Sequence, residues 1–344
     1  MHRRAFLKAG SASLGVLGLS IGTATRASAA VPSFRIRAGS TVTRWSALEQ
    51  DHHSGGQFPP GAGDGPVSFV KASDGNLIVF QMHGNGHTYR HVGRTLDSLS
   101  PGVWVHGSNG TGDNAHYSGI NSVLRSTRSR RLYGWIHQER IGPDGHVASI
   151  GFAQSDDEGY TWQYRGTILT GDALQPTGFR GAESPSVVRN GNTFVMLYGN
   201  RYGDGRHQQI WSATAPMNAD GSPGTWTKRG EVISEGGAGP HFYAASPCLR
   251  WSTAQRQWLC AYSTDKAFRF RSSRDLRQWS DPVTFVEKSQ QYTQTTGWYR
   301  YYPTLLDPSK QDSSQIGSSG WVSEHRISVT DGNDRFPALF TFRT

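Results

Sequence analysis

Short apolar runs recur along this chain. Each opens just after a Pro or an Asn, and a second apolar run follows within about a dozen residues. Five openings share one shape: Asp64-Gly65-Pro66-Val67, Gly119-Ile120-Asn121-Ser122, Glu183-Ser184-Pro185-Ser186, Ala245-Ser246-Pro247-Cys248 and Tyr301-Tyr302-Pro303-Thr304. Their third positions are 55, 64, 62 and 56 residues apart. A period this long in a strand-rich chain predicts radially repeated sheets rather than a two-sheet sandwich. The expected fold is all-β, a five-bladed β-propeller.

The pattern assigns strands to each repeat. A first strand over Phe34–Trp45 precedes all five repeats and is expected to complete the last blade and close the ring. Blade one takes Val67–Lys71, Leu77–Met82 and Thr88–Arg94, with an Asn85-Gly86 hairpin turn. Blade two takes Asn121–Arg125, Leu132–His137, Ala148–Gln154 and a strand from Trp162. Blade three takes Ser186–Arg189, Phe194–Tyr198, Gln208–Ala213 and Trp226–Ile233, and blade four Cys248–Trp251, Trp258–Tyr262, Phe268–Ser272 and Trp279–Val286. Blade five is the least regular: Thr304–Leu306, then Gly320–Ile327 and Ala338–Phe342, with a polar loop over Ser309–Ser319.

Composition agrees with this picture. Hydrophobic residues make up 35% of the chain and Gly numbers 42, which suits short strands and tight turns rather than long amphipathic helices. Residues 1–30 read as a twin-arginine-type signal peptide: Arg3-Arg4-Ala5-Phe6-Leu7-Lys8, a weakly apolar run from Ala9 to Ala24, and a small-residue cleavage site at Ala27-Ser28-Ala29. An uncleaved membrane anchor is the alternative, but Gly and Ser make the run short on hydrophobicity. The expectation is a secreted, extracellular protein with no membrane attachment after signal removal. Residues 31–344 then form a single domain, since no Pro- or Ser-rich linker divides them.

The formal charge is +9, and removal of the four basic residues of the leader leaves 31 Lys and Arg against 26 Asp and Glu. This excess permits an anionic partner without demanding one. The arginine clusters 125–131 and 269–277 fall at predicted turns, where solvated charge explains them, and no nucleic-acid partner is expected. Cys248 and Cys260 flank the turn Ser252–Arg256 and should face each other across a hairpin. Export permits a disulfide between them; two buried free thiols are the alternative.

Two turn motifs carry a family resemblance. Ser155-Asp156-Asp157-Glu158-Gly159-Tyr160-Thr161-Trp162 matches the Asp-box pattern S-x-D-x-G-x-T-W of sialidases and related propellers at every fixed position. That resemblance implies a structural turn, so Asp157 is given no chemistry. Ser273-Arg274-Asp275-Leu276-Arg277-Gln278-Trp279 is a looser version in blade four. The acidic openings Asp64-Gly65-Pro66 and Glu183-Ser184-Pro185 resemble the first- and third-blade motifs of glycoside hydrolase family 43 and its five-bladed relatives.

The family-43 resemblance implies glycosidic cleavage by two carboxyl groups, with Asp64 as base or nucleophile and Glu183 as acid. The family's third carboxylate, at the start of blade two, is absent; Gly119 stands there. Glu139, in Trp135-Ile136-His137-Gln138-Glu139, is the candidate substitute, expected to return to the same rim. Asp51 is a second candidate for the base or for sugar contact. His137, Arg180 and Arg201 are candidates for substrate binding. No His pair has zinc spacing, no metal site is assigned and no cofactor is expected, although the axis leaves room for a structural ion. Trp298, Tyr299, Tyr301 and Tyr302 could stack on sugars or fill space between blades.

The function expected is hydrolysis of a plant or microbial polysaccharide or oligosaccharide by a monomer. Two rivals stand beside it. A polysaccharide lyase acting on uronic-acid glycans would use Tyr or His as base and acid, with Arg on the substrate carboxylate. A carbohydrate-binding propeller without catalysis is favoured by the lost blade-two carboxylate. A sialidase would need six blades and an arginine triad.

Overall fold

The structure is a computed structural model. It describes residues 36–39, 41, 43–48, 63–84, 86–105, 117–143, 145–172, 178–202, 208–235, 244–288, 298–328 and 335–344. The proposed signal peptide, Asp51, His52, His53, His116 and Asn85 lie outside these residues, as do the side chains of Trp298 and Tyr299.

Strand pairing follows the sequence period. Two short strands, β1 (Arg37–Ala38) and β2 (Thr43–Arg44), come first, followed by a 3-10 turn at Ser46–Leu48. The first meander is β3 (Gly63–Lys71), β4 (Leu77–His83), β5 (Thr88–Gly93) and β6 (Val103–Trp104). The second is β7 (Tyr117–Arg125), β8 (Leu132–Gly142), β9 (Gly145–Ser155) and β10 (Gln163–Thr170). The third is β11 (Arg180–Asn190), β12 (Thr193–Tyr202), β13 (Gln208–Pro216) and β14 (Thr227–Ile233). The fourth is β15 (Ala245–Ser252), β16 (Gln257–Ser263), β17 (Ala267–Ser273) and β18 (Val283–Glu287), with the two-residue β20 (Gln315–Ile316) added at its inner edge. The fifth joins β19 (Trp298–Leu306), β21 (Ser319–Ser328) and β22 (Arg335–Arg343).

Both β1 and β2 pair with β22, so the chain's first strands close the last sheet, as expected. The chain is an all-β propeller. One feature departs from strict repetition: the second and third meanders share a short parallel contact, Arg180↔Val147 and Gly181↔Ala148. Gly181 makes that approach feasible, because a Cβ there would lie 2.0 Å from the Ala148 carbonyl oxygen and φ is +113°.

The apolar core lies between neighbouring sheets rather than in one mass. Phe80 and Val105 pack with Ile120, Leu132 and Trp162 between the first and second meanders. Trp135 and Phe152 meet Phe194 and Tyr198 between the second and third. Leu197 and Ile210 meet Trp258 and Tyr262 next, then Leu259 and Phe270 meet Leu305 and Phe340. The circle closes where Trp45, Leu306 and Leu339 pack on Val67 and Phe69.

The repeated openings are β-bulges. Register breaks occur between Gly63 and Val67, Ile120 and Ser122, Glu183 and Ser186, Ala245 and Cys248, and Tyr301 and Thr304. Ser184, Ser246 and Tyr302 hold φ near +50° there. Pro185, Pro247 and Pro303 fit because a bulge frees that position from the ladder. Each bulge bends its inner strand and re-aims the preceding side chain.

Beyond the bulge, one side chain on each of the first four inner strands takes a backbone N–H from the next sheet. Val123 N–H donates to Ser68 Oγ (2.9 Å), Val187 to Ser122 Oγ (3.1 Å), Leu249 to Ser186 Oγ (2.9 Å) and Leu305 to Cys248 Sγ (3.2 Å). Phe69 N–H completes the circuit through Ser313 Oγ at 3.2 Å. Five inner edges that would otherwise leave buried donors unsatisfied are thereby stitched together.

The cysteine expectation is corrected. Both cysteines are free and buried. Cys248 pairs with Ala261, and Cys260 with Leu249. This one-residue offset puts the thiols on opposite faces of the sheet, Cys248 among Phe270 and Leu305 and Cys260 among Leu249 and Trp258.

The polar loop of the fifth meander is also better defined than its sequence suggests. Lys71 N–H donates to Gln311 O, Ser313 N–H to Phe69 O, Trp251 N–H to Ser314 O and Thr253 N–H to Ile316 O. Arg189 stands 3.5 Å from Asp312. The segment therefore ties the first, third and fourth meanders together at the C-terminal ends of their inner strands.

Several arginines expected to be solvated are paired. Arg125 forms a two-pronged contact with Glu158 (2.9 and 2.6 Å), and Arg269 and Arg271 both face Glu235.

Candidate active site

The N-terminal halves of the inner strands gather a polar cluster. Asp64, at the β3 bulge, accepts two phenolic hydrogen bonds, from Tyr302 at Oδ1 (2.9 Å) and from Tyr117 at Oδ2 (2.7 Å). Tyr302 is itself the bulge residue of β19, with φ +56°. Glu183, at the β11 bulge, is 5% exposed. Arg201 Nε donates to its Oε2 at 2.7 Å, and Gln208 Nε2 donates to its Oε1. Arg201 lies over the Phe179 ring, 4.1 Å from its centroid, which fixes the guanidinium plane.

His137 and Glu139 reach the same cluster from β8. His137 Nε2 lies 2.7 Å from Glu139 Oε1, and His146 Nδ1 lies 3.4 Å from Oε2. Ser184 N–H approaches His137 Nδ1 at 3.4 Å, a long contact, so the ring is held chiefly by Glu139. Tyr117 meets His137 edge-on, with ring centroids 6.0 Å apart. Register explains the grouping: Tyr117 sits opposite Glu139 and Gly119 opposite His137.

Gly119 leaves no room for a carboxylate. A Cβ there would lie 2.2 Å from Met82 Cγ, so Met82 fills the volume where the second meander would present one.

Electrostatics bind the cluster into one unit. The charges of both Asp64 and Glu183 act on Tyr302 and on His137. Burial, reinforced by Asp64, pushes Tyr117 and Tyr302 well above the ordinary phenol range, so both stay protonated and donate. Burial works against a charged His137, but the hydrogen bond and charge of Glu139 outweigh it and its pKa is raised. Burial would raise Glu139, yet His137 more than compensates and its pKa is lowered. Arg201 is raised, the pull of Glu183 outweighing burial. Elsewhere in the fifth meander Glu324, fully buried, accepts from Arg300 (2.6 Å) and Arg326 (2.8 Å).

No protein-family model matches the sequence, and no curated protein matches it. Solved structures do. An α-L-arabinofuranosidase from Podospora anserina, in complex with cellotriose, superposes with a TM-score of 0.56 over 86% of this chain and 95% of that one, at 9% identity. A thermostable family-43 glycoside hydrolase gives 0.55 over 83% and 91%, at 11% identity. An α-L-arabinofuranosidase from Lactobacillus brevis gives 0.53 over 79% and 88%, at 12% identity.

The chain shares the fold of these glycosidases. At such identities the likeness is one of architecture, and the residues must speak for the chemistry.

Among the residues singled out in the sequence, the structure brings Asp64, Glu183, Glu139, His137 and Arg201 together. Arg180 stands at the start of β11 and donates to Gly178 O at 3.3 Å. Tyr302 contacts Asp64 rather than serving only as packing. Tyr117 and Gln208 were missed. Tyr302 could have been singled out from its place in the fifth opening. Tyr117 precedes the second opening by two residues, and Gln208 begins a third-meander strand; no local pattern marks either. Among the described residues, no group of three His, Cys, Asp or Glu suits a metal ion. No helix among them is long and apolar enough to cross a membrane.

Proposed function

We propose that this protein is a secreted glycoside hydrolase that cleaves a plant or microbial polysaccharide or oligosaccharide with Asp64 and Glu183. One observation carries the reading: the inner strands of the first and third meanders deliver these two carboxylates into one half-buried polar cluster, where both act on Tyr302 and His137.

Asp64 is the base or nucleophile. Two phenol donors orient both its oxygens. Glu183 is the acid toward the leaving oxygen. Arg201 and Gln208 hold its two oxygens in the free protein, which aims the carboxyl group into the cluster. Glu139 acts on this centre through His137, whose ring lies against the Ser184 backbone next to Glu183. Arg201 and His137 contact the sugar, and the proposed leader places the enzyme outside the cell.

A lyase with tyrosine as its base needs a tyrosinate near neutral pH. The raised phenol pKa values of Tyr117 and Tyr302 argue against that form of the lyase. The test is a polysaccharide panel of arabinan, galactan, arabinoxylan and pectin, scored for new reducing ends and for ultraviolet-absorbing unsaturated products. New reducing ends without unsaturation support hydrolysis. Unsaturated products support the lyase, and binding without turnover supports a carbohydrate-binding propeller.

A further inference from the structure

A second concavity lies at the other end of the inner strands. Asn190, at the end of β11, stands seven residues from Glu183, roughly 23 Å at the usual strand rise. There the third and fourth meanders and β20 enclose a cleft of about 300 Å³ lined by Arg189, Asn190, Trp251, Trp258, Arg274 and Gln315. That volume is at the lower end for small-molecule sites and has room for one sugar ring.

The lining is built, not incidental. Trp251 and Trp258 are cross-strand partners with ring centroids 4.9 Å apart and planes at 60°. The parallel β15–β20 contact sets Gln315 beside Trp251. Arg189 is anchored by donation to Arg125 O and by Asp312. Arg274 is exposed and has no hydrogen-bond or ion-pair partner among the described residues. Neither indole N–H has a protein acceptor among those residues. No carboxylate lines the cleft. Indole faces, unspent N–H donors, side-chain amides and two guanidinium groups together suit a ring with hydroxyls and a negative charge.

We infer that this cleft is a second binding site, separate from the Asp64–Glu183 cluster, for one anionic sugar unit: a uronic acid or a sulfated hexose. The indoles take the ring, the amides its hydroxyls, and Arg274 with Arg189 the anionic group. The site stands whether or not the carboxylate cluster turns substrate over, because its recognition uses none of those residues.

The test titrates the intact protein with galacturonic acid, galactose 6-sulfate and galactose, followed by tryptophan fluorescence and calorimetry. At least one acid should saturate in the millimolar range, and galactose should bind at least about 5-fold more weakly. The tighter acid identifies carboxylate or sulfate as the preferred group. Arg274→Ala, at an exposed position, should keep the wild-type melting temperature and weaken the acid about 5-fold or more. Trp251→Leu should weaken both acid and neutral sugar, and Glu183→Gln should change neither. The inference is overturned if no acid binds, if galactose binds equally well, if Arg274→Ala binds like wild type, or if Glu183→Gln abolishes binding.

Discussion

Cys248 offers a direct test of the stitching that holds the inner strands around their axis. Its sulfur accepts the Leu305 N–H at 3.2 Å, in the place that Ser68, Ser122 and Ser186 occupy in the preceding sheets. Burial pushes the thiol pKa up, so it stays protonated and its lone pairs serve as acceptor. Cys248→Ala leaves the fully buried Leu305 N–H without a partner, at a cost of about 1–3 kcal/mol. The vacated sulfur volume, among Leu259, Phe270 and Leu305, adds about 1 kcal/mol. Cys248→Ser restores an acceptor of the kind used by the neighbouring sheets and should stay within about 1 kcal/mol of wild type. Urea unfolding of the three proteins, with equal m-values, measures both differences. If serine costs as much as alanine, or alanine costs nothing, the sulfur is mere filler and the hydrogen-bonded circuit is wrongly drawn.

Three further outcomes follow from the charged groups. Arg201→Met strands Glu183 in a buried setting and should cost about 2–4 kcal/mol in urea unfolding, less if Glu183→Gln is added; equal losses in the single and double variants would contradict the pairing. The His137–Glu139 pair should stabilise most between the ordinary pKa values, 4.5 for Glu and 6.5 for His. The lowered Glu139 contributes above the first and loses its part as pH falls, while the raised His137 contributes below the second and loses its part as pH rises. The stability gap to His137→Gln, measured across pH, should therefore peak in that window, and a flat gap refutes the pair. Lys288, packed against Phe268 with its Nζ on Ser263 and Thr264, is pushed down to about 7 by burial. Between that value and the ordinary 10.5 the unfolded chain holds the extra proton, so stability gains up to about 1.4 kcal/mol per pH unit. Lys288→Met should lack that slope; parallel pH profiles would refute it.

The ring was legible because its physics is local and repeated. Each opening pairs a residue that takes a strained or ladder-free backbone with an apolar run, and the same bulge forms wherever that pattern occurs. Asp64 and Glu183 were found because they occupy the first position of such openings. Tyr302 occupies the second position of another, yet a tyrosine there reads as a sugar-stacking face or as packing until its hydroxyl is seen on Asp64. Tyr117 and Gln208 come from positions whose meaning depends on cross-strand register and on the neighbouring sheet. The cysteine reading failed on register as well. A turn one residue longer than assumed moved Cys260 to the other face, and no composition rule reports that slip. The polar segment before β21 looked like a weak blade because its hydrogen bonds go to other sheets rather than within its own. The missing second-blade carboxylate was visible as Gly119, but its cause, the Met82 side chain, was not.

The central claim is that Asp64 and Glu183 form one hydrolytic centre. Its most direct test is the rate of reducing-end release by wild type, Asp64→Asn and Glu183→Gln on whichever polysaccharide the panel identifies, with folding verified by urea unfolding. Each substitution should lower kcat by roughly 10²–10⁴-fold, and the double variant should fall little further, because the two groups act in one reaction. Full activity in either single variant contradicts the assignment.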